Sequence, residues 1–228
     1  MDNITQFDGN FLIGIQQLLH ADWLTPVMKA ITMFGEVGIF WILVCLALMI
    51  SKRTRRLGII CSISLAFAFL CCNLIIKPAV SRTRPWVLFE EVVRLIPDPG
   101  DPSFPSGHVT NSIAPAWAMF LTTVPGRIIN GEGRVTGRSY DCLRCLGWKG
   151  EGADPRTVHK FSIAAVILSV LIGVSRLYLG VHFPTDVLGG FIVGMLAATI
   201  VYNVILRIED KRGVIGSVRS EEADGAAE

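Results

Sequence analysis

What most restricts this chain is a succession of apolar runs, each near the ~20 residues a helix needs to cross the hydrocarbon of a bilayer. In lipid every backbone polar group must be satisfied internally, so such runs fold as helices or as closed barrels. The first covers 31–50 and ends in an unbroken apolar stretch from Ile39 to Ile50. The second runs from Leu57 to Ile76, and Lys77-Pro78 is expected to end it, because proline disfavours helix at the residue before it. The third, from about Gly107 to Val124, is the least apolar and carries Asn111 and Pro115. A fourth covers roughly 160–178 and a fifth runs from Asp186 to Leu206, where Gly190, Gly194 and Ala198 make a small-residue face for close helix packing. The expected fold is all-α: an integral membrane helical bundle with about five transmembrane helices.

Composition points the same way. Hydrophobic residues make up 51% of the chain and charged residues only 18%, where about a quarter is usual in soluble domains. Met1-Asp2-Asn3 opens without a basic flank or an early apolar run, so no cleavable signal peptide is expected. Within 5–30, Phe7, Phe11, Ile15, Leu18 and Leu19 recur at helical spacing, while Asp8, Gln16, Gln17, His20 and Asp22 take other positions. That pattern reads as an amphipathic helix lying on the membrane with Trp23 at the interface; a marginal span is the alternative. The expected organisation is therefore an interfacial segment over 1–30, a membrane domain over 31–210 and a disordered cytoplasmic tail over 211–228.

A glycine-rich polar insertion, 125–159, interrupts the membrane domain and contains the C-x-x-C pair Cys142 and Cys145. A zinc site would want two further ligands there, and only His159 is near in sequence. Cys45, Cys61, Cys71 and Cys72 lie inside apolar runs and read as small hydrophobes.

Five crossings divide the loops between two faces. One face receives residues 51–56, the 125–160 loop and the C-terminal end from Arg207, with four, seven and four Lys and Arg, or fifteen of twenty-one. The positive-inside rule makes that face cytoplasmic. Of the six remaining basic residues, Lys77, Arg82, Arg84 and Arg176 fall close to three chemically unusual segments on the other face.

The last of these segments is Ser175 to Asp186, where Arg176, His182 and Asp186 gather at a membrane edge. Ionisable groups there are costly unless paired or used. Asp186, four residues beyond His182 across a proline, can reach back and fix which ring nitrogen carries the proton. An oriented imidazole beside a guanidinium suits nucleophilic attack on an anion, most simply a phosphate. The plainer alternative is a capping Asp186 and a surface histidine. A second segment holds Lys77 at a helix end and Arg84 before Pro85; snorkelling toward headgroups is its alternative, and the reading preferred for Arg82. The third is Pro105-Ser106-Gly107-His108. Here Ser106 is a natural N-cap, Gly107 leaves room for a ligand, free N–H groups point at an anion and His108 is placed to move a proton. Tyr178 and Phe183 are read as packing residues.

Taken in order, K-x6-R-P, P-S-G-H and S-R-x5-H-x3-D resemble the motifs of the type 2 phosphatidic acid phosphatase superfamily, which includes membrane lipid phosphatases, bacterial acid phosphatases and vanadium haloperoxidases. The likeness in layout covers about 30–210. It implies that His182 is the nucleophile, forming a phosphohistidine, with Asp186 orienting its ring. His108 would protonate the leaving oxygen and later activate water. Lys77, Arg84, Arg176, Ser106 and the Gly107 N–H would bind the phosphoryl oxygens, without a metal or other cofactor.

The implied substrate is a lipid phosphate or diphosphate at the extracytoplasmic face of the cell membrane. Undecaprenyl diphosphate is favoured over phosphatidylglycerol phosphate and phosphatidate, and no nucleic acid is involved. A vanadium-haloperoxidase-like enzyme and a non-catalytic lipid-binding or transport protein are the other two readings. The chain departs from the family layout in its amphipathic N-terminal segment and in its long 125–159 connector.

Overall fold

A computed structural model describes residues 3–51, 54–123 and 155–211. Cys142, Cys145, most of the glycine-rich insertion and the tail from 212 onward lie outside the described residues. Among those described, every regular element is helical. The helices are α1 (Asn3–Leu19), α2 (Leu24–Met33), a 3₁₀ turn (Glu36–Gly38), α3 (Ile39–Ile50), α4 (Arg55–Leu70), a wide π-type turn (Cys71–Ile76), α5 (Lys77–Val80), α6 (Pro85–Leu88), α7 (Gly107–Thr123), α8 (Pro155–Tyr178) and α9 (Pro184–Lys211).

Helix α7 is the axis of the bundle, packed against α4, α8 and α9. Its faces meet protein rather than lipid, which is why it is the least apolar run. Thr110, Asn111, Ser112, Thr122 and Thr123 are all buried. Several are satisfied internally: Trp41 Nε1 donates to Ser112 Oγ at 2.9 Å, and the Thr122 and Thr123 hydroxyls donate to carbonyls one turn back. The small-residue face of α9 lies on this axis. A side chain at Gly190 would meet the Ser106 carbonyl, and one at Gly194 would meet Ile113 and the Thr110 carbonyl.

The outward faces are the apolar ones. On α9, Leu188, Ile192, Leu196, Ile200, Val204 and Ile208 form an exposed stripe at four-residue spacing, as expected of a lipid-facing helix. Three helical stretches are long and apolar enough to cross a membrane: Arg55–Leu88, Thr157–Tyr178 and Pro184–Ile208, with the shorter apolar Ile39–Ile50 beside them. The all-α membrane bundle is therefore present. The expected total of five is reached only by adding α3 and α7, of 12 and 17 residues.

Two expected boundaries move. Residues 31–50 are not one helix: α2 ends at Met33, and the chain turns through Gly35 and through Gly38, whose φ of 73° is in the left-handed region, before α3 begins. Nor does Pro78 end the second helix, which continues to Val80. An interior proline lacks the donor for the usual bond and crowds the carbonyl four residues back. The wide turn just before it relieves this, with the Lys77 N–H donating to the Cys72 carbonyl.

Residues 5–30 form two helices, and α1 turns the polar Asp8 and Gln16 toward protein together with the apolar Leu12. Asp8 and Gln16 are buried, whereas Ile4, Phe7, Phe11 and Leu18 are exposed. Gln16 donates to the Val93 and Tyr178 carbonyls at 2.8 and 3.0 Å and accepts from the Val93 N–H at 3.1 Å. The segment is thus fastened to the C-terminal end of α8. Trp23 remains exposed.

Candidate active site

Lys77, Arg84, Gly107, His108, Arg176 and His182 line one cavity of about 250 Å³. The three segments singled out in the sequence therefore converge. Each is delivered by a local device. The π-type turn before α5 carries Lys77, and Arg84 is held in extended backbone by the following Pro85. Helix α7 starts at Gly107, so His108 is in its first turn. Arg176 is in the last turn of α8. His182 sits in the tight link between α8 and α9, which turns at Gly180 with φ of 72°. A side chain there would run into the Val93 carbonyl, so both the backbone and the packing call for glycine.

His182 is 1% exposed. Its Nε2 is 3.5 Å from Arg84 Nη1, and its Nδ1 is 3.6 Å from Asp186 Oδ2. A guanidinium can only donate, so this network assigns the proton to Nδ1 on the Asp186 side and leaves the Nε2 lone pair toward the cavity. Burial, with the charges of Arg176 and Arg84, lowers the His182 pKa to about 4, although Asp186 works in the opposite direction. The ring is accordingly neutral at physiological pH, with one nitrogen free to accept.

Asp186 is completely buried and heavily bonded. Oδ2 accepts from the Phe183 N–H at 2.8 Å and from the Ser103 hydroxyl, and Oδ1 accepts from Arg82 Nη1 at 2.6 Å. Arg82 is the principal correction to the sequence reading. It does not snorkel. Its guanidinium turns inward over the Phe183 ring, 4.2 Å from the centroid, and bonds Asp186, Thr185 and, at 2.7 Å, Asp8. Phe183 and Tyr178 are buried packing residues, and the Tyr178 hydroxyl meets Thr25 and the Ala21 carbonyl.

The cavity is strongly cationic. Lys77, Arg84 and Arg176 are 5%, 5% and 1% exposed. Asp101 pairs with both Lys77 and Arg84. Burial acts to raise its pKa, but those two cations outweigh it and hold the carboxyl below its ordinary range. Arg176 is anchored through Nη1 to Thr32 Oγ1 at 2.9 Å, while its Nε has no partner among the described residues. Buried cations with unfilled donors are the recognition chemistry of an oxyanion such as phosphate.

Ser106 is wholly buried, and its hydroxyl has no partner among the described residues, in place of the expected capping bond. Its backbone N–H donates to the Asp186 carbonyl at 3.0 Å, tying the start of α7 to α9. His108 Nε2 lies 3.5 Å from Glu36 Oε2.

Glu36, Phe69, Asn73, Asp101 and Asn111 also line the cavity without having been given a role from sequence. Two of them had a readable signal. Asn73 is four residues before Lys77 and Asn111 three after His108, so each shares a helical face with a predicted site residue. Thr32, Asp8 and Glu36 carry no such signal, because they come from distant parts of the chain.

The model of the PAP2 superfamily matches residues 57–210. An undecaprenyl-diphosphatase of Sulfolobus acidocaldarius is 28% identical over 171 residues, covering 75% of this chain and 66% of that protein, so the chain spans just under two thirds of its length. Phosphatidylglycerophosphatase B of Bacillus subtilis is 30% identical over 183 residues, covering 78% of this chain and 74% of that protein. A crystal structure of a transmembrane PAP2 type phosphatidylglycerolphosphate phosphatase from Bacillus subtilis superposes with a TM-score of 0.65 at 26% identity, covering 91% of this chain and 89% of the other.

Proposed function

This chain belongs to the PAP2 superfamily, and from that premise we propose that it is an integral membrane lipid phosphatase whose nucleophile is His182. The observation that carries the reading is the convergence of three buried cations and two histidines, one of them held against Asp186, on one cavity.

His182 Nε2 attacks phosphorus in line with the leaving oxygen, and His108 donates a proton to that oxygen as the bond breaks. A phosphohistidine and the lipid shortened by one phosphate result. His108, now a base, takes a proton from water, whose oxygen attacks the phosphohistidine and releases inorganic phosphate with His182 restored. Glu36 places a carboxylate oxygen 3.5 Å from His108 Nε2, on the side of the ring that must exchange the proton. Lys77, Arg84, Arg176, Ser106 and the Gly107 N–H stabilise the phosphoryl oxygens. Removing one such preorganised donor typically costs about 3–4 kcal/mol of barrier.

A lipid substrate is supported by a second, apolar cavity of about 450 Å³ between α3 and α4, lined by Ile42, Leu46, Leu65 and Leu70. It shares Phe69 and Asn111 with the cationic cavity, so a headgroup can enter one while its tail lies in the other. Among lipids, undecaprenyl diphosphate is favoured by the relative from Sulfolobus acidocaldarius. Phosphatidylglycerol phosphate is the second reading, favoured by the Bacillus subtilis relative and by the solved phosphatase. The site faces the extracytoplasmic side, with α3 and α7 completing five crossings and the basic loops inside.

Phosphate release from purified lipid phosphates and diphosphates in vesicles, with and without chelator, tests the proposal. Release that survives chelation and vanishes in His182→Ala is expected. Failure to release phosphate from every lipid tried, by a folded protein, would overturn it.

A further inference from the structure

We infer that Asp8, on the N-terminal helix, is a positioning residue for the reaction at His182, acting through Arg82 and Asp186. The inference rests on the reading of His182 as nucleophile. Its geometry is a continuous line of alternating charge. Asp8 Oδ2 accepts from Arg82 Nη2 at 2.7 Å, Arg82 Nη1 donates to Asp186 Oδ1 at 2.6 Å, and Asp186 Oδ2 faces His182 Nδ1 at 3.6 Å. Thr185 closes the ring, donating its hydroxyl to Asp8 and accepting from Arg82 at 2.6 Å.

Asp8 is 1% exposed, and a carboxylate that deeply buried is costly unless its charge is matched. A lone structural ion pair between α1 and Arg82 would satisfy Asp8, but it would not require Arg82 to share its other nitrogen with the carboxylate behind the nucleophile. That sharing sets how much of the Asp186 charge His182 feels. With Asp8 in place, part of the Arg82 charge is neutralised on the far side, and Asp186 remains an effective partner for the imidazole. Without Asp8, Arg82 draws on Asp186 alone. The other charged groups facing His182 are Arg176 from α8, Arg84 from the segment before α6 and His108 from α7, and none of them touches Asp8.

The outer face of the same helix presents Ile4, Phe7, Phe11 and Leu18 away from the protein. One helix therefore presents large apolar side chains outward and carries, on its buried side, the carboxylate that ends in the nucleophile's support. The seating of α1 in the membrane and the alignment of His182 become a single mechanical unit.

The test compares wild type with Asp8→Asn, Arg82→Gln and the charge-neutral double variant. Turnover of a lipid phosphate in vesicles is measured across pH, and the His182 imidazole is titrated by NMR in the purified protein. Asp8→Asn is expected to lower kcat about tenfold or more, as small misalignments do, with KM within about twofold of wild type. The His182 titration is expected to move to lower pH in Asp8→Asn and to higher pH in Arg82→Gln. In the double variant it should fall between the two and above wild type, because Arg82 is the nearer charge. Should a single variant fail to accumulate, the double variant carries the test through its upward shift. Unchanged kcat and unchanged titration in folded Asp8→Asn, or no upward shift in the double variant, would overturn the inference. A wild-type protein inactive on every lipid phosphate would instead count against the proposed function, and the NMR titration would still decide the coupling.

Discussion

Arg84 holds Asp101 at two points, with Nε on its backbone carbonyl at 2.8 Å and Nη2 on its side-chain carboxylate. The second carboxylate oxygen is on Lys77. Asp101 therefore offers these two cations a pair of oxygens arranged much as a phosphoryl group would. A substrate entering the cavity competes with this carboxylate for both. We expect Asp101→Asn to tighten inhibition by inorganic phosphate by roughly threefold to tenfold, the scale of a removed like charge, read from competitive inhibition of lipid turnover. Unchanged or weaker phosphate inhibition would show that the carboxylate does not compete.

The same pair sets a stability signature. Because the folded-state pKa of Asp101 is depressed by Lys77 and Arg84 against the effect of burial, its contribution is present at neutral pH and lost as pH falls through that depressed value. The difference in Tm between wild type and Asp101→Asn should hold from near neutrality to about pH 5 and close below about pH 4. It should be small, since Asp101 is partly exposed.

His182 predicts a dependence in a different window. Its ordinary pKa of 6.5 falls to about 4 in the folded protein, chiefly through burial. Between those values the unfolded chain binds the proton and the native one does not. Its contribution is therefore fully present above about pH 6.5 and declines as pH drops toward 4, by up to about 1.4 kcal/mol per pH unit. Denaturation curves of His182→Asn should be shallower with pH across that interval. An equally steep loss in the variant would mean that other groups account for it.

Close approach of α9 to α7 holds the start of α7, and with it His108, against Asp186. A side chain at Gly190 would come within 2.9 Å of the Ser106 carbonyl, whereas one at Gly14 would meet nothing within 4 Å. Gly190→Val should cost about 1–3 kcal/mol of stability, the scale of overpacking, together with much of the activity. Gly14→Ala should be neutral or gain up to about 1 kcal/mol from helix propensity. Thermal denaturation and turnover of the two variants check the contrast, which would fail if both behaved alike.

The three motifs were legible in sequence for a physical reason: Lys77, Arg84, His108, Arg176, His182 and Asp186 are expensive at a membrane edge, so their placement there already implied partners. The three longest spans were legible because apolar length alone carries them, whereas the break of 31–50 at Gly35 to Gly38 was not. Arg82 was not, because its meaning depends on Asp8, 74 residues away, and a single basic residue near an interface reads equally well as snorkelling. Thr32 under Arg176 was hidden for the same reason. Proline at 78 was misread because the wide turn that accommodates it leaves no local sequence mark. The direction of α1 was ambiguous in kind: an amphipathic pattern tells which residues share a face, but not whether the polar face meets water or buried protein.

The most direct test is to catch the phosphoryl group on the nucleophile. His108→Ala lacks the base that activates water, while a lipid diphosphate expels a lipid monophosphate, a leaving group that can depart without the His108 proton; brief incubation with a diphosphate labelled in its terminal phosphate and acid-free digestion should therefore recover an acid-labile phosphate on the peptide containing His182. The label should be absent from His182→Ala/His108→Ala. Label on another residue, or sustained turnover by folded His182→Ala, would contradict the account.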